Sequence, residues 1–125
     1  MKESIRVVLF APGIAEARMR KPFEELEETL KYELGRDRVR LAYVSAASPN
    51  LADVAAEAAD DGVARLRILP IFLTPGGPLE KEIPEQVSVV RAQVPQITVE
   101  LLKPVGEHPR MRTLLHALAR EAANF

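Results

Sequence analysis

The sequence contains no cysteine, which excludes disulfides, thiolate metal sites and a cysteine nucleophile, and fits a cytoplasmic protein. Charge of one sign is missing too. The formal net charge is −1, which argues against an electrostatic nucleic-acid or anionic-membrane binder, so neither partner is expected. No apolar run approaches about 18 residues, so no transmembrane helix is expected. The start MKESIRVVLF lacks a separate apolar h-region and a cleavage site, so no signal peptide is expected. The loop after the first apolar run, APGIAEAR, lacks both G-x-G-x-x-G and G-x-x-x-x-G-K-[ST], which removes support for a dinucleotide or P-loop site. There are two histidines, His108 and His116, with no third ligand spaced to join them in a metal site. No repeat, linker or low-complexity segment interrupts the chain.

What is present is an ordinary globular composition, 47% hydrophobic and 28% charged over 125 residues. That supports one domain, 1–125, with a core that needs no metal or disulfide staple. Short β-branched runs alternate with helical patterns. Ile5–Phe10 reads as a buried strand stopped by Pro12 and Gly13. Ile14–Arg20 is ambiguous between loop and early helical turn. Pro22–Leu34 reads as a helix with Phe23, Leu26, Leu30 and Leu34 on one face and a Glu27–Lys31 pair. Arg38–Ser45 is a second strand whose arginines suggest an edge or an exposed face. Asn50 and Asp53 approach a capping box for an Ala-rich helix, Leu51–Asp60. Leu66–Phe72 is a third strand. A helix from Leu79 or Lys81 to Val94 buries Ile83, Val87, Val90 and Val94, and Ile97–Leu101 is a fourth strand. His108 and Pro109 suit N-cap and first position of a last helix with Met111, Leu114, Leu115, Leu118, Ala119 and Ala122 on its apolar face.

The order βαβαβαβα predicts an α/β fold, a four-stranded parallel sheet between helices on both faces in a three-layer sandwich. In such sheets ligands bind beyond the carboxyl ends of the strands. The Pro/Gly loop Leu73–Pro78 is therefore the first place to look for a site. Ser45, Ser48 and Thr74 end strands two and three without a histidine and carboxylate partner in local sequence, so turn and cap chemistry explains them. Glu80, Glu82 and Glu85 suit a helix start; a carboxylate turned toward the crevice is the functional reading. His116 reads as a solvated helix residue. The charge clusters Glu24–Glu28 and Arg36–Arg40 read as solvated faces. The residues alone assemble no complete catalytic constellation.

At Ile71–Pro84, IFLTPGGPLEKEIP, the sequence resembles the small class II tetrapyrrole chelatases, the sirohydrochlorin cobalto- and ferrochelatases. Pro70, Phe72, Leu73, Gly76, Gly77, Ile83 and Pro84 match their pattern there. Gly13 matches a glycine-containing turn after strand one, Pro49 and Leu51 a helix start, and Gly106-Glu107-His108-Pro109 a Gly-x-His-Pro near the end. The resemblance implies a chelatase lobe that pairs as a dimer around a tetrapyrrole; longer relatives carry two lobes in one chain. It implies insertion of Co²⁺, Fe²⁺ or Ni²⁺ into a macrocycle, with imidazoles as ligands and proton acceptors. The family's histidine positions fall here on Pro12 and Pro78, and its acidic positions after strand two on Ser45 and Ser48. No catalytic or metal-ligating residue is therefore assigned. The expected substrate crevice is Pro12, Gly13, Ser45, Ser48, Thr74, Gly76, Gly77, Pro78 and Glu82. The favoured expectation is a chelatase-like protein that binds a tetrapyrrole or pairs, as homodimer or with an active subunit, without catalysing. Beside it stand a divergent active chelatase, with Co²⁺ or Fe²⁺ handled by groups such as Glu80 or Glu82, and a flavodoxin-like interaction module.

Overall fold

A computed structural model describes residues 4–73 and 78–124 of the chain. Its elements run β1 (Ile5–Ala11), α1 (Ala17–Leu34), β2 (Val39–Tyr43), α2 (Leu51–Asp60), β3 (Arg65–Pro70), α3 (Pro78–Gln93), β4 (Thr98–Leu101), a 3-10 turn (Val105–Glu107) and α4 (Pro109–Ala123). All four strands pair in parallel, in the order β2-β1-β3-β4. β2 is an edge strand, as its arginines suggest.

Two apolar clusters sit on the two faces of the sheet. Val8, Phe10, Ala42, Leu66, Ile68 and Val99 point to the face that packs on α2 and α3, which contribute Val54, Ala55, Ala58, Ile83, Val87, Val90 and Val94. Leu9, Ala11, Val39, Leu41 and Tyr43 point to the other face, with Phe23 and Leu30 of α1 against them. Parallel strands buried on both faces read as near-continuous apolar runs, which is why Val8–Ala11 shows no polar alternation. The capping box on α2 is complete: Asn50 Oδ1 accepts from the Asp53 N–H at 2.8 Å, and Asp53 Oδ2 accepts from the Asn50 N–H at 3.3 Å.

The structure corrects the sequence reading in four places. β2, β3 and β4 are one to three residues shorter than read, β3 also starting one residue earlier at Arg65, while β1 runs one residue further, to Ala11. α1 starts at Ala17, so Pro22 lies inside the helix rather than in its first turn. Its missing N–H removes one intrahelical bond; Arg20 supports the extra turn by donating to the carbonyls of Ile14, at 3.1 Å, and Ala15. Glu27 is no solvated charge. Its side chain is 12% exposed and its Oε2 accepts from the edge-strand Leu41 N–H at 2.6 Å, with Lys31 at 3.6 Å and Arg40 at 3.5 Å. It thereby covers part of an open strand edge. Finally, α4 does not lay its apolar face on the sheet. It packs principally on the 3-10 turn before it, and none of its residues is buried.

Buried Arg6, 3% exposed on the central strand, ties the amino end of the sheet together. It donates to the Asp37 carbonyl at 2.8 Å and to Asp61 Oδ2 at 3.0 Å. This leaves the opposite, carboxyl end of the sheet as the end free to carry a site.

Candidate functional site

The chain visits β1, then β2 on one side of it, then β3 on the other, so the strand order reverses between β1 and β3. That is the topological switch point, where loops leaving adjacent strands diverge and open a crevice. Phe10 pairs with Pro70, and the Ile71 N–H continues the ladder to the Phe10 carbonyl at 2.9 Å. Pro12 and Phe72 thus leave the sheet side by side. The loop that carries Thr74, Gly76 and Gly77 lies outside the described residues; α3 resumes at Pro78 on the far side of it.

Two close backbone approaches knit this rim. A Cβ on Gly13 would collide with Ser45 Oγ and stand 2.8 Å from the Ser45 carbonyl oxygen, so the loops after β1 and β2 touch where only glycine fits. A Cβ on Gly106 would collide with the Leu73 carbonyl, and the Gly106 N–H donates to the Phe72 carbonyl at 3.1 Å. The segment after β4 is thereby tied to the loop after β3. Of the expected crevice residues, Pro12, Gly13 and Ser45 gather at this rim. Ser48 is exposed in the same β2–α2 loop, where Ala46 adopts a left-handed φ of 63°. That conformation costs a residue with a Cβ about 1–2 kcal/mol.

Glu82 is half-buried and lies one step aside. With Glu85, Asn50, Val44 and Val89 it lines a groove of about 410 Å³ between α2 and α3. Gln86 spans that groove, donating from Nε2 to the Val44 carbonyl at 3.0 Å and to Glu82 Oε1 at 3.2 Å. Sequence reasoning missed Gln86 and Asn50 as groove residues. The N-cap signal marked Asn50, but no local pattern announces a side chain that reaches 42 residues back to a loop carbonyl.

His108 caps α4. Its Nδ1 accepts from the Arg110 N–H at 3.1 Å. That hydrogen bond occupies the Nδ1 lone pair. His108 also lines a groove of about 470 Å³ with Leu69, Val105 and Met111. His116 is exposed on α4. Among the described residues no three His, Cys, Asp or Glu side chains group as a metal site. Tyr43, at the end of β2 beneath α1, keeps its phenol oxygen buried without a hydrogen-bond partner. Burial, and then the nearby Glu24 and Glu27 carboxylates, push its pKa above the ordinary 10.0.

An open parallel lobe with its loops gathered at a β1/β3 switch point is an architecture that class II chelatases share with other open α/β folds. The chain belongs to the CbiX family, whose profile matches residues 6–122. The crystal structure of a protein from Marinobacter aquaeolei VT8, described as a cobalamin (vitamin B12) biosynthesis CbiX protein, superposes with a TM-score of 0.82 at 26% identity, over 98% of this chain and 97% of that one. SirB from Bacillus subtilis, solved with Fe³⁺, shares the fold with a TM-score of 0.71 at 14% identity, over 81% of this chain but 40% of SirB. No functionally curated protein matches the chain. Among the described residues no helix is long and apolar enough to cross a membrane.

Proposed function

We propose that this chain is a cytoplasmic CbiX-family protein of the cobalamin and sirohaem branch of tetrapyrrole metabolism that holds a tetrapyrrole in the switch-point crevice without inserting metal itself. The observation that carries this is the pair Pro12 and Pro78. The resemblance aligns them with the family's histidines; Pro12 follows β1, and Pro78 opens α3, the element after β3. Proline offers neither a side-chain ligand atom nor a backbone N–H. Membership of the family, and the retained Gly76-Gly77 and Ile83-Pro84, support the tetrapyrrole. A flat macrocycle would lie against the loops after β1 and β3, with a second lobe, from another copy or an active subunit, closing over it.

A second reading rests on Glu82, whose half-buried carboxylate lines the adjoining groove. It would make the chain a divergent active chelatase, with a carboxylate accepting pyrrole protons and Co²⁺ or Fe²⁺ as substrate. Titration of the protein with sirohydrochlorin, followed by absorbance, tests both. The expected result is a saturable spectral change without accelerated Co²⁺ insertion. Saturable turnover above the uncatalysed rate would establish the second reading instead, and no spectral change at all would remove the tetrapyrrole.

A further inference from the structure

The groove of about 410 Å³ between α2 and α3 has apolar walls and a few polar groups, the usual make-up of a small-molecule site. Val44, Leu51, Val89 and Val90 supply the walls, and Asn50, Glu82, Glu85 and Gln86 the polar groups. Among the described residues no Lys, Arg or His lines it. Glu82 and Gln86 are one helical turn apart, so their side chains share a face of α3.

The hydrogen bonds already made decide which polar atoms are left over. Gln86 donates twice from Nε2, to the Val44 carbonyl at 3.0 Å and to Glu82 Oε1 at 3.2 Å. Two acceptors around one amide atom fix it as the nitrogen and use both of its protons. Among the described residues Gln86 Oε1 is then a free acceptor. Asn50, the N-cap of α2, is fixed in the opposite sense. Its Oδ1 accepts from the Asp53 N–H at 2.8 Å, which leaves Nδ2 as the free donor. Glu82 keeps Oε2, and among the described residues no cation pairs with this carboxylate. Glu85 is exposed at the rim and has Lys81 at 4.0 Å. The groove thus offers two acceptors on α3 and one donor at the start of α2.

Three small head groups can be set against that array. A carboxylate brings acceptors only. It would use Asn50 but lie beside Glu82 with no cation in the lining to offset the like charge. An alkylammonium brings donors only. It must shed a tightly held hydration shell and leaves Asn50 unmatched. A primary carboxamide brings an acceptor and two N–H donors, and it matches all three atoms. We infer that the α2–α3 groove is a binding subsite for a small ligand whose short apolar stem ends in a primary carboxamide. The ligand carbonyl accepts from Asn50 Nδ2, and its N–H groups donate to Gln86 Oε1 and Glu82 Oε2. A site with fixed hydrogen-bond partners rejects an analogue that leaves one of them unpaired, so the groove separates amide from acid. This goes beyond the crevice reading and needs no macrocycle.

Butanamide, butanoate and butylammonium carry comparable stems and differ in the head group, so they serve as probes. Each is titrated into the isotope-labelled full chain and followed by NMR. The side-chain amide signals of Asn50 and Gln86 and the backbone amide of Val89 report the groove. Butanamide should shift them saturably, with an affinity at least about tenfold above that of either other probe. Asn50→Asp keeps a good N-cap but exchanges the donor for an acceptor. It should weaken butanamide at least about fivefold and tighten butylammonium, with the helical circular dichroism retained. Glu82→Gln removes the like charge, so the preference for butanamide over butanoate should fall at least about fivefold. Equal affinities for the three probes would overturn the subsite. So would a preference of the unaltered chain for butanoate or butylammonium, shifts that saturate only elsewhere on the surface, or no saturable shift at any attainable concentration. None of these probes is a tetrapyrrole, so failure here is distinguishable from failure of the crevice reading.

Discussion

Tyr43 is 1% exposed, and its phenol oxygen has no partner. A buried polar group left unpaired costs about 1–3 kcal/mol. Tyr43→Phe removes the oxygen and keeps the ring, so it should raise unfolding stability by about 1 kcal/mol in a urea titration; a loss would mean that the oxygen has a partner in solution. The same residue sets an alkaline limit. Its pKa is raised on folding, by burial first and by Glu24 and Glu27 after. Its share of stability is therefore full below 10.0, the ordinary value, and is lost as pH rises through the raised one. Tyr43→Phe should flatten this part of the stability profile, and an unchanged alkaline slope would assign it to other groups. Gly13 makes the opposite case. A Cβ there meets both the side chain and the backbone of Ser45, and such overpacking typically costs about 1–3 kcal/mol. Gly13→Ala should lose that much, and Ser45→Gly should restore only part of it, because the carbonyl clash remains. Full restoration would show that the hydroxyl alone was in the way.

Elements whose signals are local were legible in the sequence. α2 is one: Asn50, Asp53 and the alanine face specify start, cap and packing side within ten residues, and the structure follows them. Asn50→Ala should cost about 1 kcal/mol, measured by thermal unfolding, and a change below a few tenths would mean that Asp53 alone holds the helix start. The stripe Ile83, Val87, Val90, Val94 was legible for the same reason. Where a distant partner decides, the sequence misleads. Glu27 looks like one acid in an acidic helix, and only the fold brings the Leu41 N–H to it. Pro22 looks like a first-turn residue, but α1 begins five residues earlier, at Ala17, where Arg20 reaches back to the loop carbonyls of Ile14 and Ala15. For α4 the apolar periodicity was plain, but periodicity says that a face is to be covered and not by what. For the candidate site only the end of the sheet was legible, since loops at strand ends follow from the βαβ order. Its rim contacts, Gly13 on Ser45 and Gly106 on Leu73, join segments that sequence spacing cannot relate.

At the scale of the molecule, one topological fact organises the rest: the strand order reverses between β1 and β3, with Pro12 directly after the first and α3, opening at Pro78, the next element after the second. Arg6 and its carboxylate partners hold the amino end. The carboxyl end is left free to carry loops, and its chemistry depends on what those loops bear. If the crevice keeps the family's geometry, restoring imidazoles at both positions should restore metal affinity without further change. Pro12→His acts on a half-buried loop position. Pro78→His gives up the pre-set φ of a proline at the start of α3, at a cost of about 0.4–1 kcal/mol. Pro12 lies outside the apolar clusters and Pro78 stands at a helix start, so the double variant should fold. A second imidazole converts a single-ligand contact into a chelate, and neutral imidazole suits Co²⁺ and Ni²⁺. Calorimetric titration should therefore show Co²⁺ or Ni²⁺ binding at least about tenfold tighter to the double variant than to either single one, which is ~1.4 kcal/mol of coupling. The affinity should fall as pH drops below about 6.5, where imidazole protonates. Additive weak binding by the two singles, with no coupling in the double, would show that the loops after β1 and β3 no longer face a common centre. The shape of the crevice, and not only its two prolines, would then stand against a metal site there.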